Sequence, residues 1–203
     1  AGAYFTVVMA AAYPDVFAGA APMAGGPYKC ATTMTDAFSC MSPGVDKTGA
    51  AWATIIKAAY SGYTGSYPTM SVWAGDSDYT VKPMNSVEIV QGWTSVLGID
   101  ETADVTETIQ TNTHTVYKNA SGKALVELWS IKVMGHGITV DPDGTNGKAG
   151  GATNGYAIDK NVWSSYEVLK FWGLDNTDKI APTVAISSPA NNYDTGTSVT
   201  SLT

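Results

Sequence analysis

Two histidines and a close pair of aspartates are the side chains of this 203-residue sequence best suited to moving protons. His136 lies in "VMGHGIT", flanked by glycines, just past a β-like run and before a polar stretch. A histidine at the end of a strand can face a cleft, and neighbouring glycines allow backbone or ligand to come close. Asp76 and Asp78 follow the apolar run "TMSVWAG" in "VWAGDSDYTVKP". Carboxylates beyond the carboxyl end of a strand are where ligand chemistry gathers in α/β sheets, although either could equally be a turn residue. His114, in "QTNTHTVYK", alternates within a polar strand and is expected to be solvent-facing or structural.

Other motifs carry less. "GDS" at 75–77 resembles the nucleophile motif of one group of esterases, but that group needs a D-x-x-H spacing and Val133 stands three residues before His136. "DPDGTNG" has the look of a calcium loop, yet its Gly144 falls too early and no Glu completes the pattern. No metal site is expected. "NAS" at 119–121 is a formal glycosylation sequon that turn chemistry explains. Cys30 and Cys40 are spaced wrongly for zinc. They read as a local disulfide, worth about 3 kcal/mol by loop closure, with two buried thiols as the alternative.

Composition sets the bounds. Hydrophobic residues make up 44% and charged residues 14%, and the net charge is −7. With a pI near 4.6 there is no basic stripe to neutralise phosphates, which argues against nucleic acid. No run approaches the roughly 20 apolar residues of a membrane span. The opening residues lack the basic region of a signal peptide, so the chain is expected to be mature, processed or truncated.

Elements that would position the proton-moving residues alternate between helix and strand, the α/β pattern. A helix over Ala1–Ala12, with Phe5, Val8, Met9 and Ala12 on one face, ends before Pro14. A short buried strand follows in "VFAGAAPMAGG", and residues 27–50 read as loop. Helices are expected in "AAWATIIKAAYSGY", closed by Gly62, and in "MNSVEIVQGWTSVLG" after Pro83. The clearest strand is 69–75. Residues 103–118 and 123–133 read as β, with Val126, Leu128 and Val133 turned inward. A loose polar stretch leads to a last helix in "VWSSYEVLKFWGL", presenting Val162, Tyr166, Leu169 and Trp172 or Gly173. Residues 176–203 are rich in Thr, Ser, Asn and Pro, and read as a linker with the start of a small β module.

Taken in order, "AGAYFTVVMAAAYPDVFAGAAPMAGGPYKCA", "CMSPG", "VWAGDSDYTVKP", "VMGHG" and "YEVLKFWGL" resemble the extracellular poly(3-hydroxybutyrate) depolymerase and feruloyl-esterase-like family of α/β-hydrolases. "APTVAISSPAN" resembles the lead-in to an immunoglobulin-like or fibronectin-like module. The resemblance implies a partial α/β-hydrolase fold over 1–175, a mostly parallel sheet with flanking helices and its N-terminal strands missing. It implies a Ser, Asp, His catalytic order, with Asp78 as the acid, Asp76 as its alternate, and His136 as the base. "AG" at 1–2 matches the end of the G-x-S-x-G elbow, which places the serine immediately before Ala1 and outside the chain. Ala1 would then supply an oxyanion-hole amide, and the chain by itself is expected to be inactive. Secretion, an ester or polyester substrate and no cofactor are implied as well, with Tyr4, Tyr28, Trp73 or Tyr79 as possible groove-lining aromatics. The competing expectation is a non-catalytic extracellular fragment that binds polymer or carbohydrate.

Overall fold

In the computed structural model, residues 1–144 and 148–175 are described. The stretch 176–203, expected to be a linker and β module, lies outside them.

Strand β2, Thr69–Gly75, is buried along nearly its whole length and forms the axis of the fold. Such a strand, covered on both faces, needs an almost continuous run of apolar or small residues, and "TMSVWAG" supplies one. It pairs in parallel with β1, Gly19–Ala20, on one side and with β5, Ala124–Ile131, on the other. Strands β3, Val105–Ile109, and β4, Asn112–Lys118, form an antiparallel hairpin that extends the sheet beyond β5. The order is β1-β2-β5-β4-β3, so the sheet is parallel at its centre and antiparallel at one edge.

The period of two along the strands sorts the core into two layers. Met70, Val72 and Val126 point to one face, under three helices: α1, Gly2–Ala12; α3, Gly49–Lys57; and α4, Met84–Leu97. Trp52, Ile56, Ile89 and Trp93 fill that layer. Pro83 precedes α4, and Gly98, in the left-handed region at φ 71°, ends it. Trp73, Trp129 and Ile131 point to the opposite face, beneath α5, Ser164–Phe171, which contributes Val168. The rings of Trp73 and Trp129 stack 4.7 Å apart. No described helix is long and apolar enough to cross a membrane.

Several expected features take a different form. Helix α1 buries Val7, Ala10 and Ala11, while Phe5 is 63% exposed. The helix is apolar on all sides, so periodicity could not choose its face, and the small alanines permit the closer approach. Residues 34–41, expected as loop, form helix α2, whose N-cap Thr33 accepts a hydrogen bond from the amide of Asp36. That T-x-x-D pattern was the available signal. The β run at 103–118 is two strands, reversed at Gln110 and Thr111, both with positive φ. Either side of the polar stretch 141–155 lie the strands of a two-stranded parallel sheet, β6, Ile138–Val140, and β7, Ala157–Asp159. Val133 is exposed and not inward, and α5 turns Leu169 outward while burying Ser164, Glu167 and Val168. Cys30 and Cys40 form a disulfide that ties the loop before α2 to its last turn.

Of the two roles expected for His114, solvent-facing or structural, the structure shows the structural one. It bridges Glu107 on β3, at 2.9 Å, and Glu127 on β5, at 2.8 Å, and its ring lies against Trp129. Glu127 is 3% exposed and accepts a second hydrogen bond from Ser71 at 2.6 Å, so the cluster fastens the edge hairpin to the sheet centre. Burial opposes the charged imidazole. The hydrogen bonds to Glu127 and Glu107, with their charges, outweigh that penalty and raise its pKa above the ordinary value. The charged form therefore contributes stability that is fully present below about pH 6.5 and is lost as pH rises through the elevated folded value. His114→Gln is expected to cost about 3–5 kcal/mol where the ion pair is formed. Thermal melts between about pH 5.5 and 9 should show the gap from wild type narrowing toward alkaline pH, and a gap that widens there would contradict the clamp.

Candidate active site

The carboxyl ends of β2 and β5 lie side by side, because Gly75 pairs with Ile131. Both chain segments leave the sheet there, the first through the turn holding Asp76 and Asp78, the second through the loop holding His136. A side chain at Gly75 would run into the carbonyl oxygens of Met134 and Gly135, so the glycine is what lets the histidine loop cross the strand end. Of the glycines beside His136, Gly137 approaches the carbonyl of Tyr156 too closely for a side chain, whereas Gly135 faces open space.

Asp78 is 1% exposed. Its Oδ1 accepts the backbone N–H groups of Thr80, at 2.8 Å, and Val81, at 2.9 Å, in an Asx turn that fixes the carboxylate plane. Its Oδ2 faces His136 Nδ1 at 2.8 Å. With Nδ1 held by a carboxylate, the imidazole directs Nε2 to the other side of the ring, where it can take or give a proton. The His136 side chain is 30% exposed and lines a cleft of about 940 Å³. Tyr156 meets the ring edge-on at 6.3 Å.

Asp76, the alternate acid, does not reach the ring. Its Oδ1 accepts the backbone N–H of Val133 at 2.7 Å and the hydroxyl of Ser77 at 2.8 Å. Sequence spacing could not separate the two aspartates, since both sit in one turn within two residues of each other.

Ala1, Gly2 and Tyr4, at the start of α1, line the same cleft as His136. Much of the remaining wall is made of small or aliphatic side chains, among them Ala24, Met41, Val81 and Ile138. Tyr4 is the one groove aromatic anticipated from sequence that lines it. Burial, with a smaller contribution from the charge of Asp78, pushes its pKa up to about 12, so the phenol stays neutral. Trp73 and Tyr28 are core residues, and Tyr79 is 81% exposed outside the cleft. Asn154 and Tyr156 also line it, and they come from a loop in which the sequence offered no periodic signal. Among the described residues no cluster of His, Cys, Asp or Glu is arranged to hold a metal ion.

No protein-family model matches the chain. Individual relatives do. The sequence is 56% identical over 174 residues to poly(3-hydroxyalkanoate) depolymerase C of Paucimonas lemoignei, covering 86% of this chain and 42% of that protein. It is 31% identical over 147 residues to feruloyl esterase B of Talaromyces funiculosus, covering 69% of this chain and 41% of that protein. Among solved structures, the acetyl xylan esterase of Aspergillus awamori superposes with a TM-score of 0.60 at 31% identity, over 66% of this chain and 51% of that one. The chain thus spans about two fifths of the length of the curated relatives it matches. With the α/β layers and the carboxylate–imidazole pair at the strand ends, these similarities show that the chain belongs to the poly(3-hydroxybutyrate) depolymerase and feruloyl-esterase-like family of α/β-hydrolases.

Proposed function

We propose that residues 1–175 are the acid–base portion of the catalytic domain of a secreted serine ester hydrolase acting on a polyhydroxyalkanoate or a related polyester. The observation that carries the reading is the buried Asp78 carboxylate on His136 Nδ1, at 2.8 Å, with the imidazole opening onto an apolar cleft. Identity of 56% to a protein named as a poly(3-hydroxyalkanoate) depolymerase, against 31% to a feruloyl esterase, favours an aliphatic polyester over an aromatic ester. The small aliphatic cleft wall is consistent with such a chain.

The nucleophile in this reading is a serine at the position preceding Ala1. Its support is that Ala1 and Gly2 border the same cleft as His136. The serine hydroxyl attacks the ester carbonyl while His136 Nε2 takes its proton. Asp78 holds the tautomer with the proton on Nδ1 and stabilises the imidazolium as it forms. The negative oxygen of the tetrahedral intermediate points to the amide of Ala1, the residue after the nucleophile. As the intermediate collapses, Nε2 returns its proton to the departing alcohol, leaving an acyl-serine. Water, deprotonated by the same nitrogen, then attacks the acyl carbon, and Nε2 returns that proton to the serine oxygen as the acid departs. No cofactor enters any step.

A fluorophosphonate probe tests the location of the nucleophile. The 203-residue chain is expected to take up no label, and the full-length protein one equivalent, on the serine before Ala1. Stoichiometric labelling of a serine within 1–203 would overturn the assignment.

The acid is tested separately in the full-length protein. Asp78→Asn keeps the side-chain shape but favours the wrong imidazole tautomer, and is expected to lower kcat by about 10⁴-fold with little change in KM. Asp76→Asn should leave kcat within about twofold, because the amide oxygen still accepts the Val133 N–H. The reverse ranking of the two would exchange the roles of the aspartates.

A further inference from the structure

Val133 occupies a conformation that its side chain disfavours. At φ 52° it is a β-branched residue in the left-handed region, which glycine and asparagine tolerate far better. Its side chain is 70% exposed, so no burial compensates. What holds it are its two backbone polar groups. The N–H donates to Asp76 Oδ1 at 2.7 Å, and the carbonyl accepts from Lys160 Nζ at 2.8 Å. An anion from the β2 turn and a cation from the segment after β7 thus grip one residue from opposite ends.

That residue stands three positions before His136, and its neighbours are committed as well. The Ile131 carbonyl accepts from the Asp76 amide at 2.9 Å, the Lys132 amide donates to Asn112 Oδ1 at 3.0 Å, and the Met134 carbonyl accepts from the Ser77 amide at 3.1 Å. The Met134 side chain is buried in the layer beneath α5. Between the end of β5 and Met134 the path is fixed, and the reversal at Val133 sets the direction in which the chain continues to His136. Strain held in place by surrounding contacts beside reacting groups is the pattern expected of a geometry that function requires.

We infer that Asp76 and Lys160 are positioning residues. They hold Val133 in its left-handed turn and thereby set the placement of the His136 ring against Asp78. The inference rests on His136 being the catalytic base, but its first test needs no activity. In the 203-residue chain, the hydrogen-bonded His136 Nδ1 proton is followed by NMR far downfield, with its assignment checked by its loss in Asp78→Asn. Asp76→Ala is expected to broaden or remove that resonance while the far-ultraviolet circular dichroism stays native. Asp76→Asn, which keeps the acceptor, should retain it. Adding Val133→Gly to Asp76→Ala should restore it, because glycine adopts the turn without the clamp. In the full-length protein, Asp76→Ala and Lys160→Ala should each lower kcat about tenfold with KM within about twofold.

An unchanged resonance in Asp76→Ala, or no recovery in the double variant, overturns the clamp whatever the activity. Loss of native circular dichroism in Asp76→Ala that the glycine does not repair overturns it too, by showing a general structural role. If the resonances respond as expected but full-length wild type hydrolyses no ester, the proposed function fails and the clamp stands.

Discussion

Six consecutive parallel pairs join β2 to β5, from Met70 with Val126 to Gly75 with Ile131, and the site depends on that register. Because the strands run the same way and end together, the two loops that leave them start from adjacent points. Parallel strands need a long crossover, here α4 and the β3–β4 hairpin, so residues 58 positions apart in sequence are brought together by sheet pairing and not by local turns. A slip of one residue would turn every side chain of β5 to the opposite face, removing Trp129 from Trp73 and Glu127 from Ser71. The aromatic stack and the buried hydrogen bond therefore act as a register lock. They stabilise the arrangement, and they exclude the neighbouring ones.

That lock has an electrostatic cost, and the hairpin offsets it. Glu127 is an anion in the sheet interior, and an isolated buried carboxylate would be strongly unfavourable. Ser71 satisfies one oxygen and His114 the other, and His114 in turn reaches the half-exposed Glu107. The network runs from the central strand to the sheet edge, with water available only at its far end. Such a chain specifies one pairing of β3, β4 and β5, since any other leaves Glu127 unpaired.

The strand at 69–75 and the helix at 84–97 were legible because punctuation and pattern coincide there. An unbroken small and apolar run ends at Gly75, and Pro83 and Gly98 bracket the helix. The hairpin was hidden because Gln110 and Thr111 take positive φ without being Gly, Asn or Asp, the residues that usually signal it. The face of α1 was hidden for the opposite reason, an excess of apolar residues, which leaves the choice to tertiary packing. At the site, His136 and the aspartate pair could be named from residue type and position. Which aspartate meets the ring could not, because the Asx turn that buries Asp78 and leaves Asp76 outward is decided by backbone amides at 80 and 81. Lys160 gave no signal at all. Its partner is a carbonyl, and any residue type presents one.

The two members of the pair sit in different dielectric surroundings, and the difference suits the proposed reaction. The Asp78 side chain is 0% exposed and its charge is met by two amides and the imidazole, so it stays in place whether or not the ring is charged. The His136 side chain is 30% exposed and lines the cleft. An imidazolium formed there is stabilised by an unscreened anion at one nitrogen, while the other remains open to the cleft. Bury the ring fully and the hydrolytic water has no route to Nε2. Expose the carboxylate and solvent screening weakens its hold on the charged ring. A buried acid behind a partly exposed base meets both demands, and it follows from the strand ends: the Asx turn after β2 holds Asp78 inward, and the β5 loop crosses the end of β2 at Gly75.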